Sequence, residues 1–256
     1  MGRLSGKRAL VTGASSGIGR EVARRFAAEG ARVACAGRDR DRTTRTVNEI
    51  TAVGGVAIAV IGDVSDPADA ERIVNEAQAA FAGLDSVVSN AGVDATEWHD
   101  VGDWDVAEFD RIIATNLRGP FLVARAALPH LVAAGGGAIV HMSSVCAITV
   151  WAGDCAYDIS KAGLNMLSDH IAVEYGPRGI RSNTLMPGVI RTELHESVME
   201  AMNDDRAFER ELLARHPIGR FGDAAEIADA CVFLCADEAG FMTGANISID
   251  GGYSRV

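Results

Sequence analysis

The sequence predicts an α/β fold: one doubly wound, seven-stranded parallel sheet with helices on both faces. Three observations carry this. Short apolar runs alternate with longer helical patterns along all 256 residues. The runs are apolar at nearly every position, as strands covered on both faces are. No linker, repeat or low-complexity stretch breaks the rhythm, so residues 1–256 read as a single domain.

The elements follow in order. KRALVT (7–12) is a strand and 17–30 a helix. ARVACAG (31–37) and GVAIAVIG (55–62) are strands separated by a charged helical segment. DPADAERIVNEAQAAF (66–81) has an aspartate cap, an early proline and apolar residues at helical spacing. LDSVVSNAG (84–92) is a strand running into a turn, and 105–134 is a long helical stretch that Pro120 is expected to kink. Gly135 to Gly137 turn into strand AIVHMSS (138–144), followed by helix 156–178 and strand IRSNTLM (180–186). A lid-like substrate segment covers about 189–215, helical from 192; helix 223–236 and strand ANISID (245–250) come last.

Composition narrows the partners. A formal net charge of −11 repels phosphates over most of the surface, which argues against non-specific nucleic-acid binding. No apolar run reaches membrane-spanning length, and MGRLSGKRALVTG runs straight into a strand without a secretory pattern. The five cysteines are scattered and form no CxxC; Cys231 and Cys235 lie in an apolar helical segment and read as core. His99 and His195 lack metal-ligand spacing, so no metal is expected. The expectation is a reduced, cytoplasmic protein.

Four turns follow strand ends, where open α/β sheets bind ligands. TGASSGIG (12–19) joins the first strand to the first helix, with glycines at 13, 17 and 19. Glycines let the backbone approach a pyrophosphate, and a helix start offers free N–H groups and the positive end of its dipole. Asp63-Val64 follows the third strand, Asn90-Ala91-Gly92 the fourth and Pro187-Gly188 the sixth. Singly each is an ordinary loop; together they outline a dinucleotide site. AYDISKAG (156–163) then places Tyr157 and Lys161 one helical turn apart, on one face.

These motifs resemble the short-chain dehydrogenase/reductase family, in its single-domain branch of roughly 250 residues. TGASSGIG, NAG at 90–92, Asn116 in TNLRG, Ser144 in HMSSV, YDISK at 157–161 and PGVIRT at 187–192 stand in family order over essentially the whole chain. One departure is Ser89, where the family commonly has Asn, which puts one hydrogen bond near the sheet in doubt.

The resemblance implies a Rossmann-like oxidoreductase passing hydride between a nicotinamide cofactor and a secondary alcohol or ketone. Tyr157 would be the general acid/base. A phenol titrates near ~10, and the Lys161 cation would lower that value. Ser144 would hydrogen-bond the substrate oxygen, and Asn116 would hold the geometry linking Lys161 to solvent. The resemblance assigns Gly13, Ser15, Ser16, Gly17, Ile18, Gly19, Asp63, Val64, Asn90, Ala91, Gly92, Tyr157, Lys161, Pro187, Gly188, Val189, Ile190 and Thr192 to the cofactor, and it implies a homotetramer. A non-catalytic dinucleotide sensor on the same fold is the alternative, although such a protein usually loses the Tyr or the Lys.

Residues that shape the substrate pocket are less defined by motif. Trp98, Cys146, Trp151, Cys155, His195, Met199 and Met202 are candidates, with Trp151 and His195 taken as substrate residues. For the cofactor, an acidic residue at the end of strand two would suit NAD(H). That slot is Gly37, followed by Arg38, which suits a 2′-phosphate, so NADP(H) is expected over NAD(H). Asp39 either reaches back to the ribose or caps the next helix.

Overall fold

A computed structural model describes residues 2–95, 97–201 and 206–256. Met202 lies outside the described residues. Seven parallel strands form one sheet: β1 (Arg8–Thr12), β2 (Arg32–Gly37), β3 (Val56–Ile61), β4 (Ser86–Ser89), β5 (Gly137–Met142), β6 (Ile180–Pro187) and, labelled for its place in the chain, β9 (Asn246–Ile249). Their order is β3-β2-β1-β4-β5-β6-β9. The chain winds outward from β1 in one direction and then, from β4, in the other. The loops after β1 and β4 therefore diverge at the centre of the sheet and open a crevice.

Helices α1 (Gly17–Ala28), α2 (Arg40–Ala52), α3 (Pro67–Phe81), α4 (Val106–Ile113), α5 (Gly119–Ala133), α6 (Cys155–Tyr175), α7 (Glu193–Ala201), α8 (Arg206–Ala214) and α9 (Ala224–Cys235) complete the fold. Strand alternation sends Ala9 and Val11 of β1 into one core and Leu10 into the other. On the first face, Val22 and Phe26 of α1 join Ile227 and Cys231 of α9. On the second, Ile73 of α3 joins Val123 and Leu131 of α5. Cys231 and Cys235 are core residues, as their apolar surroundings implied.

Two elements differ from the sequence reading. The stretch 105–134 is helical without interruption from Val106 to Ala133, as read, but its irregularity is a π-turn at Ala114–Arg118 between α4 and α5 rather than a kink at Pro120. Pro120 sits in the first turn after it. A short parallel ladder, β7 (Ile190–Arg191) with β8 (Gly222–Asp223), anchors the base of the 189–215 segment. Two-residue strands carry no periodicity to read.

β5 also holds a fully buried histidine. His141 stands beside Ser89 in the sheet register, and among the described residues neither its ring nitrogens nor the Ser89 hydroxyl has a hydrogen-bond partner. The lost Asn at position 89 thus leaves an orphaned hydroxyl. Burial pushes the His141 pKa down to about 4. The unfolded chain takes the proton near pH ~6.5, the folded chain only near 4, so stability falls as pH drops between them, by about 3 kcal/mol. Chemical denaturation of the wild type and His141→Leu from pH 7.5 to 4 should give curves that diverge below pH ~6.5, with the variant flatter. Parallel curves would remove His141 as the cause.

Candidate active site

The glycine loop is held by its neighbour across the crevice. Gly13 adopts φ +66°, and a Cβ there would stand 2.8 Å from the Ala91 Cα. A Cβ on Gly19 would run into the Gly13 carbonyl oxygen. Asn90 Nδ2 donates to the Thr12 and Gly13 carbonyls at 3.2 and 3.3 Å. Thr12 Oγ1 accepts from the N–H groups of Asn90 and Ala91 at 3.0 and 3.1 Å. The Asn-Ala-Gly turn is thus stitched to the end of β1, and its small residues permit the close approach.

The start of α1 binds an anion in this structure. Glu193 Oε2 accepts from the Gly17 N–H at 3.0 Å, and Arg20 pairs with Oε1 at 3.2 Å. The carboxylate stands in for a phosphate at a helix N-terminus. That contact, with the backbone cradle that any Cβ would fill, fits a dinucleotide pyrophosphate. Glu193 had no signal in the sequence beyond following Thr192.

At the far end of the crevice a Cβ on Gly37 would lie 2.6 Å from Thr43 Oγ1, so an acidic side chain has no room there. Arg38 is 63% exposed and reaches Asp63 Oδ2 at 3.4 Å. Asp39 caps α2, accepting from the Arg42 N–H at 3.0 Å. Its carboxylate is committed to the helix start.

At the near end, Ser144 ends the excursion from β5 and Tyr157 and Lys161 share the first turns of α6. Lys161 is 5% exposed, and its Nζ donates to the Met142 carbonyl at 2.9 Å while lying 5.2 Å from the Tyr157 ring centroid. Burial lowers its pKa to about 8. Burial raises that of Tyr157 well above its ordinary value; Asp94 adds to the rise, and the neighbouring Ser144 hydroxyl works against it. The lowering expected from Lys161 does not dominate here, because the phenol is enclosed. Tyr157 still keeps part of its surface open to the cavity.

Asn116 lies in the π-turn, a distortion common at functional sites. Its side chain clamps the Val93 backbone, accepting from Val93 N–H and donating to its carbonyl, both at 2.8 Å. It also donates to Ser160 Oγ at 3.3 Å. This fixes the turn after Gly92 against α6, one residue from Lys161.

One cavity of about 930 Å³ runs between the two ends. It is lined by every cofactor and substrate residue named from the sequence except Gly19, and by the catalytic candidates except Asn116; those two buttress it from behind. Trp151 packs between Trp98, at 6.4 Å, and Phe208 of α8, at 6.0 Å edge-on. Phe208 and Leu212 bring α8 onto Val145, Phe221 and Tyr253. His195 stacks edge-on with Phe221 at 5.1 Å, and burial lowers its pKa. Cys146 lines the cavity, whereas Cys155 and Met199 do not. Sequence reasoning missed Tyr253, which the C-terminal turn returns to the pocket, and Asp94 and Asp154, which sit two residues after Gly92 and three before Tyr157.

The chain is similar to known proteins over nearly its whole length. The chain matches the family model described as enoyl-(acyl carrier protein) reductase over residues 13–254. An uncharacterized oxidoreductase of Thermotoga maritima is 38% identical over 251 residues, covering 98% of each chain. The L-rhamnose 1-dehydrogenase (NAD(P)(+)) of Azotobacter vinelandii is 38% identical over 251 residues, covering 96% of each. A dehydrogenase structure from Agrobacterium tumefaciens with bound NADP superposes with a TM-score of 0.88 at 33% identity, covering 98% of this chain and 97% of its own. From its motifs, its sheet and these relatives, the chain belongs to the short-chain dehydrogenase/reductase family and is an NAD(P)-dependent dehydrogenase acting on CH–OH groups.

Proposed function

We propose that the chain interconverts a secondary alcohol and its ketone with Tyr157 as general acid/base, and that it prefers NADP(H). The observation that carries the reading is the enclosure of Tyr157, Ser144 and Lys161 in one wall of a cavity that continues to the glycine loop. The nicotinamide cofactor supplies the hydride acceptor or donor. The chain's own residues do the rest. Gly13 to Ile18, Asn90 to Gly92 and Pro187 to Thr192 hold the dinucleotide. Ser144 orients the substrate oxygen. The Tyr157 phenol gives or takes the proton at that oxygen, and the buried Lys161 charge favours the phenolate. Asn116 keeps the turn beneath them rigid. A non-catalytic sensor would have no use for an enclosed phenol and ammonium, each costly to bury.

For the cofactor, the crowding at Gly37 leaves no place for a ribose-binding acid, and Asp39 is engaged as a cap. Arg38, with Arg42 beside it on the cavity, supplies charge for a 2′-phosphate. The 189–215 segment acts as a lid, with Phe208 and Leu212 closing over Trp151. Among described residues no helix is long and apolar enough to cross a membrane. All five cysteines are free, which suits a cytoplasmic setting.

One kinetic comparison tests the reaction and the cofactor together. Tyr157→Phe should lower kcat by at least ~10²-fold while cofactor affinity stays nearly constant. Wild type should favour NADP(H) by about ten- to a hundredfold in kcat/KM, and Arg38→Ala should erase most of that gap. Near-full turnover by Tyr157→Phe, with chemistry rate-limiting, overturns the first assignment. An unchanged cofactor ratio in Arg38→Ala overturns the second.

The assembly proposed is a homotetramer. An apolar groove between α5 and α6 exposes Phe121 at 47% and Val132 at 38%, beside Leu128, Leu167 and Ile171. A face of this kind is suited to burial between subunits. Sedimentation at micromolar concentration should give the mass of four chains; the mass of one chain refutes it.

A further inference from the structure

The substrate end of the cavity carries a pair of carboxyls that the chemistry above does not use. Asp154 is the residue before α6, three positions from Tyr157, and is only 4% exposed. It lines the cavity, and among the described residues its Oδ1 has no hydrogen-bond partner. Asp94, on the turn after Gly92, lines the same cavity, its Oδ1 accepting from the Ala95 N–H at 2.8 Å. Burial first, and then the Asp94 charge, raise the Asp154 carboxyl well above the ordinary carboxylate range.

Asp154 Oδ1 is thus a buried acceptor with no donor among the described residues, and Asp94 stands on the same wall. An orphaned buried acceptor is costly unless a ligand completes it. Trp98 adds a buried N–H that has no partner among the described residues, on the same cavity. Asp158 is not available for this: it does not line the cavity, and it accepts from the Trp151 backbone N–H at 2.9 Å.

The charges of the cavity narrow the ligand. Its lining cations among the described residues are Arg38 and Arg42 at the adenosine end, and Lys161. Lys161 feels the Asp94 charge but its Nζ is engaged by the Met142 carbonyl, and Arg111 donates to the Asp94 carbonyl from outside the lining; an anionic group held against the two carboxyls still meets repulsion. A hydroxyl both donates and accepts, matching the orphaned Asp154 oxygen and the orphaned Trp98 N–H on the same cavity. An ammonium only donates and leaves the Trp98 N–H without an acceptor.

Building on the dehydrogenase reading above, we propose that Asp94 and Asp154 form a subsite for a second hydroxyl beside the carbinol that reacts. The substrate class is an uncharged vicinal diol or polyol, or the matching α-hydroxyketone in reverse. In the forward direction the carbinol C–H leaves as hydride to the oxidised nicotinamide and its O–H proton goes to the Tyr157 phenolate; the second hydroxyl keeps its proton and is held by the carboxyl pair.

The test uses the enzyme with NADP⁺ and a matched set: cyclohexanol, 1,2-cyclohexanediol, 2-aminocyclohexanol and 2-hydroxycyclohexanecarboxylate. Wild type should turn over the diol with a kcat/KM at least about tenfold above cyclohexanol, with the carboxylate poorest. Asp94→Ala, on a loop, and Asp154→Ala should each lower the diol-to-cyclohexanol ratio about tenfold. Because Asp154 precedes α6, the Asp94 variant decides if the other fails to fold. Equal diol and cyclohexanol values, a preference for the amine or the carboxylate, or an unchanged ratio in Asp94→Ala overturns the subsite while leaving the dehydrogenase reading intact. If no alcohol is turned over, diol binding followed by tryptophan fluorescence decides separately. Binding that Asp94→Ala abolishes supports the subsite although the reaction reading has failed; no diol binding overturns both.

Discussion

The site depends on two loops being locked together where the winding of the sheet reverses. Thr12 and Asn90 close the gap between β1 and β4: the threonine hydroxyl accepts two backbone N–H groups, and the asparagine amide donates to two carbonyls. These bonds bring the glycine loop within contact of Ala91, so Gly13 cannot carry a side chain. The same turn continues to Val93, which Asn116 clamps against α6. A single chain of hydrogen bonds therefore runs from the anion-binding end of α1 to the helix that bears Tyr157 and Lys161. Rigid positioning of this kind is what a hydride and proton transfer needs.

Electrostatics at the substrate end work against charge. Burial lowers the Lys161 pKa to about 8 and raises those of Tyr157, Asp154 and Asp158. Each shift moves a group toward its neutral form, the expected response to a cavity of low polarity. Lys161 keeps a partner in the Met142 carbonyl, and Asp158 keeps one in Trp151. Among the described residues Asp154 and Asp158 each retain an unpartnered buried oxygen, and of the two only Asp154 lines the cavity. Substrate binding is then a matter of satisfying polar groups already in place. The packing of α8 on Trp151 would keep water from doing it instead.

The fold was legible because parallel strands covered on both faces are apolar throughout, and all seven stand within a residue or two of their apolar runs. The cofactor wall was legible because its residues are glycines, small residues and turns at strand ends. What the sequence hid has a common cause: each feature arises from tertiary meeting of distant segments. The π-turn at 114–118 has no propensity signature, and Pro120 drew attention one turn too late. Glu193 reaches Gly17 across 176 residues. Asp94 and Asp154 reach one cavity from distant segments of the chain. The effect of Lys161 on Tyr157 was read from spacing alone, which carries no information on burial.

The central claim is that one cavity holds the dinucleotide at the glycine loop and presents the substrate oxygen to Tyr157. A crystal structure with NADP⁺ and a slowly oxidised secondary alcohol tests this most directly. The account predicts pyrophosphate at the Gly17 N–H with the Glu193 carboxylate displaced, and the alcohol oxygen within hydrogen-bonding distance of both Tyr157 and Ser144. A dinucleotide bound there with the alcohol oxygen held away from Tyr157, or a pyrophosphate seated elsewhere with Glu193 still on Gly17, would contradict it.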